Sequence, residues 1–196
     1  MKIIFASHNQ NKVKEIQNLL GDEIQLLSLT ELGLEEEIPE TANTIEGNSL
    51  LKAKYIWEKY QMTCFADDTG LEIEALNGEP GVFSARYAGD RKNDDANIDK
   101  VLFKLLGHEN RNARFKTVIT LIKEGQEFQF TGIVNGEIGS EKIGQNGFGY
   151  DPIFVPEKQG KTFAEMTLNE KNLFSHRARA FHQLVNFITE YKGNNQ

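Results

Sequence analysis

The sequence predicts an α/β protein built on a mixed β-sheet. Strand-like and helix-like runs alternate early in the chain, and two β-rich runs joined by a short polar turn come later. The 196 residues suit one domain, or one domain with two lobes, and no repeat or linker divides them.

"KIIFA" reads as a short buried strand. Val13, Ile16, Leu19 and Leu20 then fall at helical spacing, with Gly21 as the expected stop. "EIQLLSL" reads as the next strand. Residues 44 to 60 predict a helix capped by Thr44, with Leu50, Ala53, Ile56 and Trp57 on one face. "MTCFA" and "LEIEAL" read as two strands flanking an aspartate pair. A long glycine-containing loop, "NGEPGVFSARYAGDRKND", leads to a helix over "NIDKVLFKLLG". "RFKTVITLIKE" and "EFQFTGIV" predict an antiparallel hairpin turning at "EGQE". The loop "GQNGFGYDP" precedes the apolar run "IFV", and a final helix is expected over about residues 173 to 191.

Hydrophobic residues make up 39% of the chain, enough for a core because they cluster. The net charge of −7 argues against wholesale binding to a nucleic acid backbone. Cys64 is the only cysteine, so no intrachain disulfide forms, and it reads as a small core residue. No segment approaches the roughly 20 apolar residues that span a bilayer, and "MKIIFAS" is too short an apolar run for a signal peptide. The expectation is a soluble cytoplasmic protein with no membrane partner and a frayed tail over residues 192–196.

Four motifs suit chemistry. "SHNQNK", Ser7 to Lys12, lies between a strand and a helix start, where free amides and the helix dipole favour an anion. Ser7, Asn9 and Asn11 add polar groups and Lys12 a mobile charge, although an ordinary capped helix looks the same. Asp67 and Asp68 are neighbours in an extended stretch, so their side chains face opposite ways. One carboxylate then faces metal or water, while the other fixes a sharp turn at Thr69–Gly70; a solvated turn fits the same residues. Glu40, after a proline, offers a second oxygen ligand. "GFGYDP" sets Phe148 between glycines, free to stack on a planar base, with Asp151 as an acceptor, or simply forms a turn around a buried ring. "NEKNLFSHRARAF" concentrates Lys171, His176, Arg177 and Arg179, with Lys171 expected in an entry loop and His176–Arg177 in the first helical turn.

Taken together, "SHNQNK", "IPET", "FADDTGLEIEALNGEPGVFSARYAG", "GFGYDPIF", "TFAEM" and "SHRARA" closely resemble the inosine triphosphate pyrophosphatase family, in its bacterial branch. The resemblance runs from Lys2 to Phe181. It implies a single-domain α/β homodimer with an elongated mixed sheet, helices on its faces and a central cleft between two lobes. It also implies Mg²⁺-dependent hydrolysis of ITP, dITP and XTP to the monophosphate and pyrophosphate. By matching motifs, Ser7, His8, Asn9, Gln10, Asn11 and Lys12 would hold the triphosphate. Asp68 would be the general base and a metal ligand with Glu40, and Thr69, where many members carry serine, would touch substrate. Phe148, Gly149, Tyr150 and Asp151 would hold the base, Lys171 would reach phosphate, and His176 and Arg177 would contact the purine. Lys52 matches a lysine that binds phosphate in some members. Rival readings are a pyrophosphatase for modified pyrimidine nucleotides, a silent nucleotide sensor, and an RNA-binding protein, the last disfavoured by the acidic balance.

Overall fold

A computed structural model describes residues 2–20, 24–89 and 92–193. Its strands form one six-stranded sheet in the order β2-β1-β3-β4-β5-β6. β1 (Lys2–Phe5) pairs in parallel with β2 (Gln25–Ser28) and with β3 (Cys64–Ile73). β4 (Asn112–Lys123) and its neighbour β5 (Gln126–Ile138) are joined only by Glu124 and Gly125, so that pair is antiparallel. Both turn residues have positive φ, 54° and 78°, the backbone that a two-residue hairpin needs. β6 (Phe154–Pro156) runs antiparallel to β5. The helices are α1 (Gln10–Leu19), α2 (Ile45–Tyr60), α3 (Asp94–Lys104), α4 (Leu168–Asn172) and α5 (His176–Gly193). The sheet is mixed and the fold is α/β, as the alternation of periods predicts. No helix among the described residues is long and apolar enough to cross a membrane.

The chain divides into two compact units. The first comprises Met1–Asp68, Thr117–Gly132 and Arg177–Gln196. Alternate residues of its strands serve two cores. Ile3, Phe5 and Phe65 pack with Val13 and Ile16 of α1 and with Phe181 and Leu184 of α5. Ile4, Ala6, Cys64 and Ala66 pack with Ala53 and Ile56 of α2. Burial pushes the Cys64 thiol up to about 12, so it stays protonated and serves as a core residue.

The second unit comprises Thr69–Lys116 and Ile133–His176. Its core joins Leu71 and Ile73 of β3, Val101 of α3, and the rings of Phe115, Phe154 and Phe163.

Three expectations change. The aspartate pair does not sit at a turn between two strands: β3 is continuous from Cys64 to Ile73 and carries Asp67 to Gly70 inside it. The reason is that the carboxylates find cations within the fold and need no solvent-facing turn. Lys171 lies in the short helix α4, not in a loop, because Thr167 and Glu170 form a reciprocal cap that starts a separate helix. The last helix begins at His176 rather than near residue 173. In addition, α3 starts earlier than expected, at Asp94, where the Asn93 side chain accepts from the Ala96 amide. The expected stop at Gly21 lies outside the described residues.

Candidate active site

The first unit gathers the charged residues. The tight connection from β1 to α1 is built by its own side chains. Asn9 Oδ1 accepts from the Asn11 and Lys12 amides at 3.0 and 3.2 Å, and Ser7 Oγ accepts from the Asn9 amide at 3.2 Å. His8 Nε2 lies 2.9 Å from the Glu36 carbonyl oxygen, and Gln10 reaches Thr30 Oγ1 at 3.4 Å. His8 to Asn11 remain exposed at the head of α1.

From the first turn of α1, Lys12 Nζ lies 3.0 Å from both oxygens of Asp67. Arg177, in the first turn of α5, donates from Nε to Asp67 Oδ2 at 3.1 Å and from Nη1 to Glu15 Oε2. Asp67, Glu15 and Arg177 are all buried. Burial alone would raise the Asp67 carboxyl, but Lys12 and Arg177 beside it hold it below the usual carboxylate range.

One residue further along β3, Asp68 answers to a different cation. Lys52 Nζ, from the middle of α2, donates to Glu40 Oε1 at 2.7 Å and to Asp68 Oδ1 at 3.3 Å. The side chains of Lys52, Asp68 and Glu40 are 8%, 12% and 28% exposed. Burial raises the Asp68 carboxyl above its ordinary value, and Lys52 only partly offsets this. Burial also works against the Lys52 charge, yet Asp68 and Glu40 carry its pKa above the usual lysine value. Glu40 lies in a segment without regular structure, anchored to α2 where the Ala42 amide donates to Asn48 Oδ1 at 2.9 Å.

The second unit gathers the aromatic residues. The Asp151 carboxylate accepts from Lys171 Nζ at 2.7 Å and from the Phe148 amide at 3.0 Å, with Asp151 and Lys171 nearly fully buried. Gly147 has φ of 77°, and a Cβ there would lie 2.0 Å from Asp151 Oδ2, so only glycine lets the loop close onto the carboxylate. The Gly149 amide donates to Asp94 Oδ2 at 2.7 Å, and the Tyr150 hydroxyl to the Ser84 carbonyl at 2.7 Å. Phe148 is partly exposed, with the Lys171 ammonium 5.1 Å from its ring centre. His176 is buried and stacks on Phe115 at 4.6 Å.

In the first unit, then, the structure brings together Lys12, Asp67, Arg177 and Glu15, and beside them Lys52, Glu40 and Asp68. In the second it brings together Phe148, Asp151 and Lys171. Thr69 opens the second unit, one peptide bond after Asp68. Sequence reasoning missed Glu15, whose signal was its place three residues after Lys12 on the same side of α1. It also left Lys52 at the margin, although a lysine in a helix with an apolar face is a candidate buried cation.

Two carboxylates converging on one buried cation, and a helix head carrying a lysine held by a third, can bind a metal ion and an anion and can deprotonate water. A family model described as the Ham1 family matches residues 3–187. A dITP/XTP pyrophosphatase of Flavobacterium johnsoniae is 57% identical over 192 residues, which cover 98% of this chain and 100% of that protein. One from Bacillus subtilis is 46% identical over 189 residues, covering 94% of this chain and 96% of that one. Among solved structures, a HAM1 protein from Coxiella burnetii superposes with a TM-score of 0.89 at 41% identity, covering 97% of this chain and 99% of that one. The Staphylococcus aureus Ham1 protein does so with a TM-score of 0.88 at 40% identity, covering 97% of this chain and 100% of that one. Agreement of sequence and backbone from β1 into α5 settles the kinship: the chain belongs to the Ham1 family.

Proposed function

We propose that the protein hydrolyses the non-canonical purine nucleoside triphosphates ITP, dITP and XTP to the monophosphate and pyrophosphate, clearing them from the nucleotide pool. The observation that carries this reading is the convergence of Glu40 and Asp68 on one cation position, in a chain of which 98% is matched by a dITP/XTP pyrophosphatase.

Ser7 to Lys12 are assigned to the phosphates. Asp67, itself held by Arg177, keeps Lys12 ready, so its charge is positioned before substrate arrives. Glu40 and Asp68 would hold Mg²⁺. The donor set fits, because two carboxylate oxygens reach one point and leave the other positions to water and phosphate oxygens. Bound there, the ion offsets phosphate charge and polarises the phosphate oxygens. Asp68 takes the proton of the water that attacks the α-phosphorus in line.

The base is assigned to Phe148, Gly149, Tyr150 and Asp151, with Phe148 stacking and Thr69 touching substrate. Lys171 acts on this side rather than on phosphate: its ammonium is committed to the buried Asp151 carboxylate and fixes that acceptor. His176 and Arg177 are assigned to the position-6 carbonyl that inosine and xanthosine share and adenine lacks. The active species is taken to be a homodimer, which sedimentation would report as twice 22.2 kDa.

The test is pyrophosphate release from ITP, dITP, XTP, GTP and ATP, with Mg²⁺ and with chelator. The reading expects kcat/KM for ITP and XTP at least about 100-fold above that for ATP, and no turnover without divalent metal. Equal values across the five nucleotides would refute it.

A further inference from the structure

The Lys52 ammonium occupies the point on which Glu40 Oε1 and Asp68 Oδ1 converge, at 2.7 and 3.3 Å. Its side chain is 8% exposed and reaches that point from the middle of a long helix, with Ala53 and Ile56 of α2 locked in the core beside it. Such a lysine is not a mobile surface charge. Lys12, the nearby cation on α1, is committed to Asp67 on the other side of β3.

We propose that Lys52 is a built-in counter-ion for the metal position. In the metal-free enzyme it keeps Glu40 and Asp68 together, and metal entry requires its ammonium to leave at least one of them. The inference rests on the assignment of Glu40 and Asp68 as metal ligands. Its physical basis is exclusion. A divalent ion binding both oxygens sits about 2.0–2.1 Å from each, which places it against an ammonium that bonds the same two atoms. Two cations in contact repel, and each carboxylate oxygen that turns a lone pair to the metal loses it for the ammonium. The enzyme then binds divalent metal weakly on its own, because metal must displace a cation already in place. The arrangement preforms the spacing of two like charges that would otherwise push apart the Glu40 segment and β3.

The sign of one measurement separates this role from a merely structural one. If Lys52 only braces the site, Lys52→Met loosens Glu40 and Asp68 and weakens metal binding. If Lys52 is the counter-ion, Lys52→Met tightens it. Mn²⁺ binding is measured by electron paramagnetic resonance, without nucleotide, for the wild type, Lys52→Met and Lys12→Met. The expected result is at least about a ten-fold lower Kd for Lys52→Met, with less than a three-fold change for Lys12→Met, which removes one neighbouring charge but no contact to Glu40. An unchanged or higher Kd in Lys52→Met, or an equal gain in Lys12→Met, overturns the inference. Adding Asp68→Asn to Lys52→Met must abolish the tight site; if it does not, the ligand assignment itself fails, which is a distinguishable outcome. A crystal structure of the Mn²⁺-loaded wild type supplies a check that needs no variant. Lys52 Nζ should stand beyond about 3.5 Å from Glu40 or Asp68, and retention of both bonds with metal bound would overturn the proposal.

Discussion

Asp67 and Asp68 are neighbours in one strand, yet they bond to different cations: Asp67 to Lys12 and Arg177, and Asp68 to Lys52. The period of a β-strand makes this division. Successive side chains leave opposite faces, so one carboxylate turns toward α1 and α5 and the other toward α2. Two charges that repel as sequence neighbours become the anchors of two separate clusters. Burial acts on both, but the cations around Asp67 win and its carboxyl falls, whereas burial wins at Asp68 and its carboxyl rises.

Asp67 should therefore dominate the acid stability of the metal-free protein. Its folded pKa is held below the ordinary 3.8, so its charge contributes stability that is fully present above that pH. The contribution is lost as pH falls through the folded value. Asp67→Asn should flatten the decline of unfolding free energy below about pH 4, measured by urea titration in chelator. At neutral pH the same change should cost about 3–5 kcal/mol, because Lys12 and Arg177 lose a buried partner. An acid slope equal to that of the wild type would show that other carboxylates carry the effect.

Asp68 should govern the acid limb of turnover instead. Its carboxyl is raised above 3.8, so kcat/KM, which reports the free enzyme, should fall on acidification at a pH above that value. Asp68→Asn should lower kcat by about 10²–10⁴-fold, with far-ultraviolet circular dichroism and Tm close to wild type. Removing the charge of Lys52, the first cation that restrains the Asp68 shift, should raise the Asp68 carboxyl further in the metal-free protein, read by carboxyl NMR titration in chelator. A carboxyl that titrates unchanged in Lys52→Met would mean that Lys52 does not restrain it.

Much of the frame was readable from local pattern. The strand and capped helix at the N-terminus, the Thr44 cap and the turn at Glu124–Gly125 all depend on residues within a few positions of one another. The aspartate pair was misread as a turn because the groups that make it tolerable in a strand lie 55 and 110 residues away, in Lys12 and Arg177. No local propensity records such partners. The break between α4 and α5 was different. The "TLNE" box that caps α4 was present in the sequence and signals a helix start by itself. Glu15 and Asn48 were invisible as site residues for the first reason, since each matters only through what it touches.

Gly47 offers a test of how Glu40 is held. It lies in the first turn of α2, and a Cβ there would stand 2.6 Å from the Ala42 Cβ. Gly47→Ala should favour the isolated helix by about 1 kcal/mol. It must nevertheless push away the segment that the Ala42–Asn48 bond fastens to α2, and Glu40 with it. The expected outcome is a Tm near wild type, together with a roughly ten-fold rise in the metal concentration needed for half-maximal activity, as for loss of a supporting contact around a ligand. An unchanged metal requirement would show that Glu40 does not depend on this anchor.

Lys171 and Asp151 make the corresponding test in the second unit. The pair is nearly fully buried, and the Asp151 oxygen that accepts from Lys171 also accepts from the Phe148 amide. Lys171→Met leaves a carboxylate in the core without its ammonium, a change that costs about 3–5 kcal/mol. At about 2–4 °C per kcal/mol for a chain of this size, Tm should fall by roughly 6–20 °C. Adding Asp151→Asn removes the stranded charge but keeps an oxygen for the Phe148 amide, so the double variant should recover a large part of the loss. The two sites are in direct contact, and their effects should couple by more than about 0.5 kcal/mol. KM for ITP should stay raised in the double variant, because Asp151 is the acceptor that the ammonium holds for the base. If stability recovers and KM recovers with it, the pair braces the fold and takes no part in recognising the purine.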